Sequence, residues 1–298
     1  MKTIIRYVNA CVAAVAVALA CSGCIENTAT KTADSGQRAD TFYNTPGSAD
    51  AEGNRYDSSG NASLLDVVIP PRLDNEVVHY KAMTVYFNRK YRQPNCVAYE
   101  LTNTAVAMAD APDAEKRSNY NFNRDPKVDG CPEWWEYKDS GYDRGHMTPA
   151  MDMRWDKTAM EECFLMTNIC PQDHGLNDGE WRVMEEAIHR KWANKYGRLV
   201  IVTGPIFADD MPTFGKKGIA VPPRFFKVVY APDQNYSVAF VFDNRDDGQS
   251  WRKHAVSVDE VERLTGYNFF AALDDERETK AERQNEIDKW PNYVDNRR

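Results

Sequence analysis

Asp143, Arg144, Gly145 and His146 set a carboxylate, a guanidinium, a glycine and an imidazole in four consecutive residues. Pro149 and Asp152 follow. Some twenty residues on, the chain reads Thr167-Asn168-Ile169-Cys170-Pro171-Gln172, then Leu176-Asn177, Trp181 and Glu185. Eight residues at about 3.6 per turn is a little over two turns, so a helix would show Asn177 and Glu185 on roughly one side. Asn and Glu carry hard oxygen donors suited to Mg²⁺, an ion that keeps several of its waters. A histidine beside such an ion takes a proton from water near neutral pH. An arginine offers a planar fork to phosphate oxygens. The chemistry this set describes is metal-assisted hydrolysis of a phosphodiester.

Each residue also has a plainer use. Alone, His146 fits a structural histidine, Asn177 a helix cap, Glu185 a solvated helix face and Arg144 an ordinary ion-pair partner. The surrounding elements have to decide. Residues 77–87 and 96–101 read as strands, 120–142 as loop and 162–168 as a short apolar strand. Residues 176–196 read as one helix, because Trp181, Met184, Ile188 and Trp192 recur at three- and four-residue steps and Gly197 follows as a stop. Residues 199–203 form a continuous apolar strand, 225–230 and 236–242 a strand pair, and 258–264 and 274–288 helices. Strands and helices do not strictly alternate, so the class is α+β. Trp134 and Trp135, inside the long loop, are expected to anchor it to the core rather than to stack bases.

The 298 residues are 42% hydrophobic and 28% charged, which excludes a disordered or collagen-like chain. Residues 1–24 are not fold: Lys2 and Arg6 precede an Ala/Val-rich run that ends in small residues before Cys21 and Cys24, the pattern of an export signal. The same end resembles a bacterial lipoprotein signal, with Cys21 or Cys24 as the lipidated residue. The chain is therefore expected to be exported and anchored by lipid in the bacterial periplasm or at the cell surface, or else secreted. A redox or zinc pair at Cys21 and Cys24 lacks a supporting βαβ context. Residues 25–62 are polar and aperiodic, a flexible tether, and 63–298 form one domain. Cys96, Cys131, Cys163 and Cys170 are even in number, which permits two disulfides in three connectivities; their spacing is not that of a zinc site.

The run DRGHMTPAMD, followed by TNICPQDHGLNDGEWRVMEE, resembles the DNA/RNA non-specific endonuclease family of the ββα-metal (His-Me finger) superfamily, which includes mitochondrial endonuclease G. The resemblance continues through Val202-Thr203-Gly204-Pro205-Ile206-Phe207, Val221-Pro222, Phe226-Lys227 and Leu264-Thr265-Gly266. It implies a central, mainly antiparallel sheet flanked by helices. It also implies a metal-dependent endonuclease that cuts DNA and RNA without regard to the sugar, using Mg²⁺ with Mn²⁺ as a substitute. By the same resemblance His146 is the general base, Asn177 the direct ligand and Glu185 the carboxylate that holds the ion's waters. Arg144 is the cation at the scissile phosphate, Asn168 a positioning residue, and Asp143 an orienting member. Water would attack phosphorus in line and leave a 5′-phosphate. One departure is that His189 stands where many relatives have an arginine, with Arg190 next.

Charge lends no support of its own. The net charge is −8, and residues 80–198 hold 17 Lys and Arg against 19 Asp and Glu, without the broad basic footprint of a nucleic-acid binder. A local groove of Arg144, Arg154, Lys157, Arg182 and Arg190 is the remaining expectation, with Arg182 and Arg190 assisting Arg144 on the substrate. Two other readings stay open: an inactive surface lipoprotein that binds a partner through this fold, and a phosphodiesterase for small substrates.

Overall fold

The apolar runs of the C-terminal half become the centre of a sheet. The computed structural model describes residues 63–295; the segments expected to be an export signal and a tether, with Cys21 and Cys24, lie outside the described residues. In chain order the elements are β1 (Glu76–His79), β2 (Met83–Asn88), β3 (Gln93–Thr102), α1 (Asn103–Ala109), β4 (Asp143–His146), α2 (Ala150–Met153), α3 (Lys157–Cys163) and β5 (Ile169–Gln172). Then come α4 (His174–Asn177), α5 (Glu180–Ala187), a π-helical turn (Ile188–Trp192), α6 (Ala193–Tyr196), β6 (Arg198–Ile206), β7 (Thr213–Phe214) and β8 (Ile219–Ala220). The chain closes with β9 (Arg224–Ala231), β10 (Tyr236–Asp243), β11 (Ala255–Val256), α7 (Val258–Thr265) and α8 (Asp275–Arg283).

Seven strands form one sheet in the order β1-β2-β3-β6-β9-β10-β11, each neighbouring pair antiparallel. Both faces are covered. Val97, Tyr99, Leu199, Ile201, Phe225 and Phe240 face a core shared with Trp181, Met184 and Trp192 of the helical layer. Their sequence neighbours Cys96, Ala98, Val200, Val202, Phe226 and Ala239 face a second core closed by Val258 and Val261 of α7 and Ala281 of α8. Burial on both faces is why these strands read as unbroken apolar runs instead of alternating. Among the described residues no helix is long and apolar enough to cross a membrane.

The sheet carries a small appendage, β4 paired antiparallel with β5, and helices α4 and α5 follow directly, a ββα unit. Several expectations change here. The strand expected at 77–87 is a hairpin, turned where the Tyr80 amide donates to the Met83 carbonyl at 2.9 Å. No strand spans 162–168: α3 ends at Cys163, Met166–Asn168 is a 3₁₀ turn, and the strand begins at Ile169. A helix end and a short turn bury apolar side chains as well as a strand does. The last helix stops at Arg283.

The helix expected at 176–196 is interrupted. Asn177 ends α4, Gly179 separates the two helices, and Glu185 belongs to α5. Trp181, Met184, Ile188 and Trp192 nonetheless all face the core, as their spacing predicts. Trp134 and Trp135 do not anchor their loop; they are 47% and 50% exposed. Arg92 does so instead, donating to both oxygens of the buried Glu136 at 2.7 and 2.8 Å. The four cysteines of the domain are free and buried. Cys96 faces one core while Cys131, Cys163 and Cys170 belong to the other, so no two-disulfide framework can link them.

Candidate active site

Strand β4 delivers His146 to the floor of a cleft of about 670 Å³. Its partner β5 holds the register, His146 opposite Ile169 and Asp143 opposite Gln172. Gly145 is there for space, not flexibility: a Cβ on it would lie 1.9 Å from Gln172 Oε1 and 2.6 Å from Gln172 Cγ. The imidazole packs against two aromatic rings that also touch each other, 5.1 Å from Phe122 and 4.8 Å from Phe164, centroid to centroid. The Arg144 guanidinium lies over Phe122 at 4.7 Å and that of Arg117 over Phe164 at 5.5 Å. Burial, followed by the nearby charges of Arg117 and Arg144, pulls the His146 pKa down to about 3. Nε2 of this ring is shut off from solvent and has no partner among the described residues. Nδ1 is the nitrogen left to serve the cleft.

Asp143 is an orienting residue. Its Oδ2 accepts from Asn177 Nδ2 and from His174 Nδ1, each at 2.9 Å. The bond sets the amide of Asn177, whose other end, the carbonyl Oδ1, is a hard acceptor at the cleft wall. The separate bond from His174 to Asp143 raises the pKa of that exposed imidazole. Glu185 lines the same cleft from α5 despite the break at Gly179. Below it lies Lys227 of β9, wholly buried, with Nζ 2.8 Å from Glu185 Oε1 and 4.8 Å above the Trp181 ring. Burial raises the pKa of Glu185, and the ammonium opposes that rise. An amide oxygen, a carboxylate and an imidazole lining one cleft suit a small hard divalent cation with waters.

Not every expected cation reaches the cleft. Arg144 and Arg154 line it, joined by Lys116 and Arg117. Among the described residues neither Arg117 nor Arg144 forms an ion pair with a carboxylate, so both forks are free for phosphate. Arg182 also lines the cleft, but its guanidinium is held by Asp178, Glu186 and Asp295. Arg190 and Lys157 lie outside the lining, near Glu186 at 3.9 Å and Glu161 at 3.8 Å respectively. A helix advances about 100° per residue, so basic residues close in sequence point different ways.

Asn168 is wholly buried and touches nothing in the cleft. Its Oδ1 accepts from the Thr148 amide at 2.9 Å, and its Nδ2 donates to the carbonyls of Thr148 and Cys163 at 3.0 and 2.9 Å. It is a positioning residue, clamping the chain just after His146. His189 is buried too, with Nδ1 2.7 Å from Asp152 Oδ1, while Tyr99 donates to the other oxygen of Asp152 at 2.9 Å. Burial lowers its pKa, but Asp152 and Asp110 outweigh that and raise it. It ties the π-helical turn to α2 and to the end of α1, and it is not among the residues lining the cleft. Sequence reasoning missed Arg117 and Lys227 as site residues. Nothing local marks Arg117, but Lys227 carries a signal: a charge inside an apolar strand must be buried with a partner.

Fold and site together define a class, an α+β protein of the ββα-metal nuclease fold. The match to known proteins agrees. A solved structure of EndoG, in the EndoG/EndoGI complex, superposes with a TM-score of 0.62 at 25% identity, covering 68% of this chain and 89% of that one. The family model for DNA/RNA non-specific endonuclease matches residues 60–276, and the chain belongs to that family. Nuclease 1, mitochondrial, of Schizosaccharomyces pombe is 31% identical, over 73% of this chain and 76% of its own length. Nuclease C1 of Cunninghamella echinulata is 29% identical, over 68% and 86%, and human nuclease EXOG, mitochondrial, 27%, over 85% and 73%. The protein is a non-specific nuclease, a hydrolase that acts as an endonuclease on nucleic acid.

Proposed function

We propose that the chain hydrolyses DNA and RNA with His146 as general base, one Mg²⁺ on Asn177 Oδ1, and Glu185 holding the waters of that ion. The observation that supports this reading is the Asp143–Asn177 hydrogen bond, which engages the amide nitrogen of a side chain lining the same cleft as His146 and Glu185 and so leaves its carbonyl oxygen as the donor for a metal. When bound, the cation supplies Lewis-acid stabilisation of charge on the phosphate and leaving oxygens, and Mn²⁺ can supply the same.

The chain's own residues do the rest. Arg144 and Arg117 receive the phosphate. In the free enzyme these guanidinium groups help depress the basicity of His146; an arriving phosphate offsets their charge, so the imidazole becomes a better base as substrate binds. Nδ1 of His146 then takes a proton from a water aimed at phosphorus. Lys227 keeps the Glu185 carboxylate in one place, and Asn168 holds the turn that follows His146. Because water is the nucleophile, the 2′-OH plays no part, and the product carries a 5′-phosphate. Export, and anchoring at Cys21 or Cys24 in the periplasm or at the cell surface, belong to the same proposal and rest on the N-terminal pattern alone. Mass spectrometry of the mature N-terminus tests that part.

The catalytic reading is tested with supercoiled plasmid and with RNA, in Mg²⁺ or EDTA, beside His146→Ala. Digestion of both polymers that EDTA and the substitution each abolish is the expected result. Intact polymers with folded protein, after Mg²⁺, Mn²⁺ and Ca²⁺ have each been tried, overturn it. Turnover of bis-p-nitrophenyl phosphate without polymer cleavage points to a small-substrate phosphodiesterase.

A further inference from the structure

Arg182 is a cleft arginine with its charge already claimed. Nε lies 3.1 Å from Asp178 Oδ1, Nη1 2.8 Å from Glu186 Oε1 and Nη2 3.0 Å from Asp295 Oδ2. Three carboxylates about one guanidinium leave this part of the cleft negative, an unfavourable setting for a polyanion. Asp178 and Glu186 are neighbours of Arg182 on the local chain. Asp295 comes from 113 residues away, and its side chain is only 3% exposed.

A built strap puts it there. Trp290 packs on Trp192 and Tyr196, each at 4.7 Å between centroids. Trp192 Nε1 donates to the Pro291 carbonyl at 2.7 Å, and Arg252 donates to the carbonyls of Ile287 and Trp290 at 2.9 and 3.0 Å. The Tyr293 hydroxyl donates to Glu186 Oε2 at 2.7 Å. Residues 287–295 are thus laid along the α5–α6 helix and end by pressing a carboxylate onto a cleft guanidinium.

We propose that Asp295 restrains Arg182 and thereby sets how tightly the cleft holds a nucleic-acid polymer. With Asp295 in place, all three nitrogens of Arg182 are withheld from phosphate; without that carboxylate, Asp178 and Glu186 still hold Nε and Nη1 while Nη2 is released to make one further phosphate contact. This rests on the cleft being the polymer site. Asp295 acts through Arg182 and touches no reacting atom, so a substrate with a single phosphodiester does not feel it.

The test measures binding of a fluorescein-labelled DNA duplex by anisotropy, in EDTA to prevent cleavage, across a salt series. The proteins are the full chain, Asp295→Asn, Arg182→Gln and the double variant, each checked by thermal melting. One added phosphate contact steepens the slope of log affinity against log salt by about 0.9, or roughly eightfold tighter binding at 0.1 M salt relative to a 1 M reference. Asp295→Asn is expected to show that gain, the double variant to lose it, and turnover of bis-p-nitrophenyl phosphate in Mg²⁺ to stay within about twofold in Asp295→Asn. An equal gain in the Arg182→Gln background overturns the proposal, because net charge alone then explains it. So does an unchanged slope in a folded Asp295→Asn. Arg182→Gln alone gives an independent check should Asp295→Asn fail to fold: it leaves the wild-type slope unaltered if Asp295 already withholds the guanidinium, and a slope shallower by about 0.9 refutes the restraint. Wild-type protein that neither binds nor cuts the duplex refutes the cleft reading itself, and this inference with it.

Discussion

Replacing Lys227 with methionine removes the one cation paired with Glu185 among the described residues. Methionine keeps most of the stem's volume against Trp181, so the change is electrostatic more than steric. At 2.8 Å the pair attracts by about 6 kcal/mol with an effective dielectric of ~20. The variant does not lose that much, because a stranded carboxylate has an escape: it takes up a proton. Protonating a carboxyl of ordinary pKa ~4.3 at pH 7 costs about 3.7 kcal/mol, which caps the loss and agrees with the ~3–5 kcal/mol typical of breaking a buried pair.

The cap moves with pH, and this is the discriminating feature. In the variant the folded carboxyl has a pKa raised above its unfolded value, so its stability is intact below ~4.3 and is lost as pH rises. Because burial already raises the wild-type Glu185 pKa somewhat, the difference between wild type and Lys227→Met should grow from at most about 1 kcal/mol at pH 5 to at most about 3.7 at pH 7. Urea unfolding followed by tryptophan fluorescence at pH 5, 6 and 7 measures it. Adding Glu185→Gln should restore most of the stability, since both charges are then gone. A loss independent of pH, or below about 1 kcal/mol at pH 7, refutes the assignment of the pair.

His146 should leave its own pH signature. Its folded pKa of about 3 lies below the unfolded value of ~6.5, so stability is present above ~6.5 and is lost as pH falls toward 3. At pH 4 the loss is about 3.3 kcal/mol, or about half that after allowing for the ring's remaining solvent contact. His146→Asn removes it; parallel stability curves for the two proteins would sink the prediction. In Mg²⁺, His146→Ala should lower kcat/KM on plasmid by at least the ~10²–10⁴-fold of a lost general base, and a smaller drop counts against the role. Gly145→Ala forces a methyl into the Gln172 side chain and should cost ~1–3 kcal/mol, a deficit that Gln172→Ala relieves in the denaturant midpoint. A fragment of residues 63–298 should show four thiols to Ellman's reagent after guanidinium and none before; no thiols after unfolding would mean that the disulfides exist.

Much of the site was legible because it is local. DRGH lies on one strand, and the apolar spacing of Trp181, Met184, Ile188 and Trp192 reports one helix face whatever surrounds it. The proposed base, amide and carboxylate were singled out by residue types that few other sites would combine at this spacing. What the sequence determined by itself, then, is the chemistry on offer and the family that uses it.

The tertiary structure decided which charges face the cleft and which are spent elsewhere. Lys227 meets Glu185 across 42 residues and Asp295 meets Arg182 across 113. Arg117 arrives beside Phe164 only through the folding of an irregular loop. Residues 178–179 break a helix that periodicity would have run through, yet Asn177 and Glu185 still share a cleft. Periodicity reports how a residue faces its own element. The partner of a buried charge is chosen by packing between elements, where desolvation makes an unpaired ion untenable and so dictates pairs that no local pattern contains.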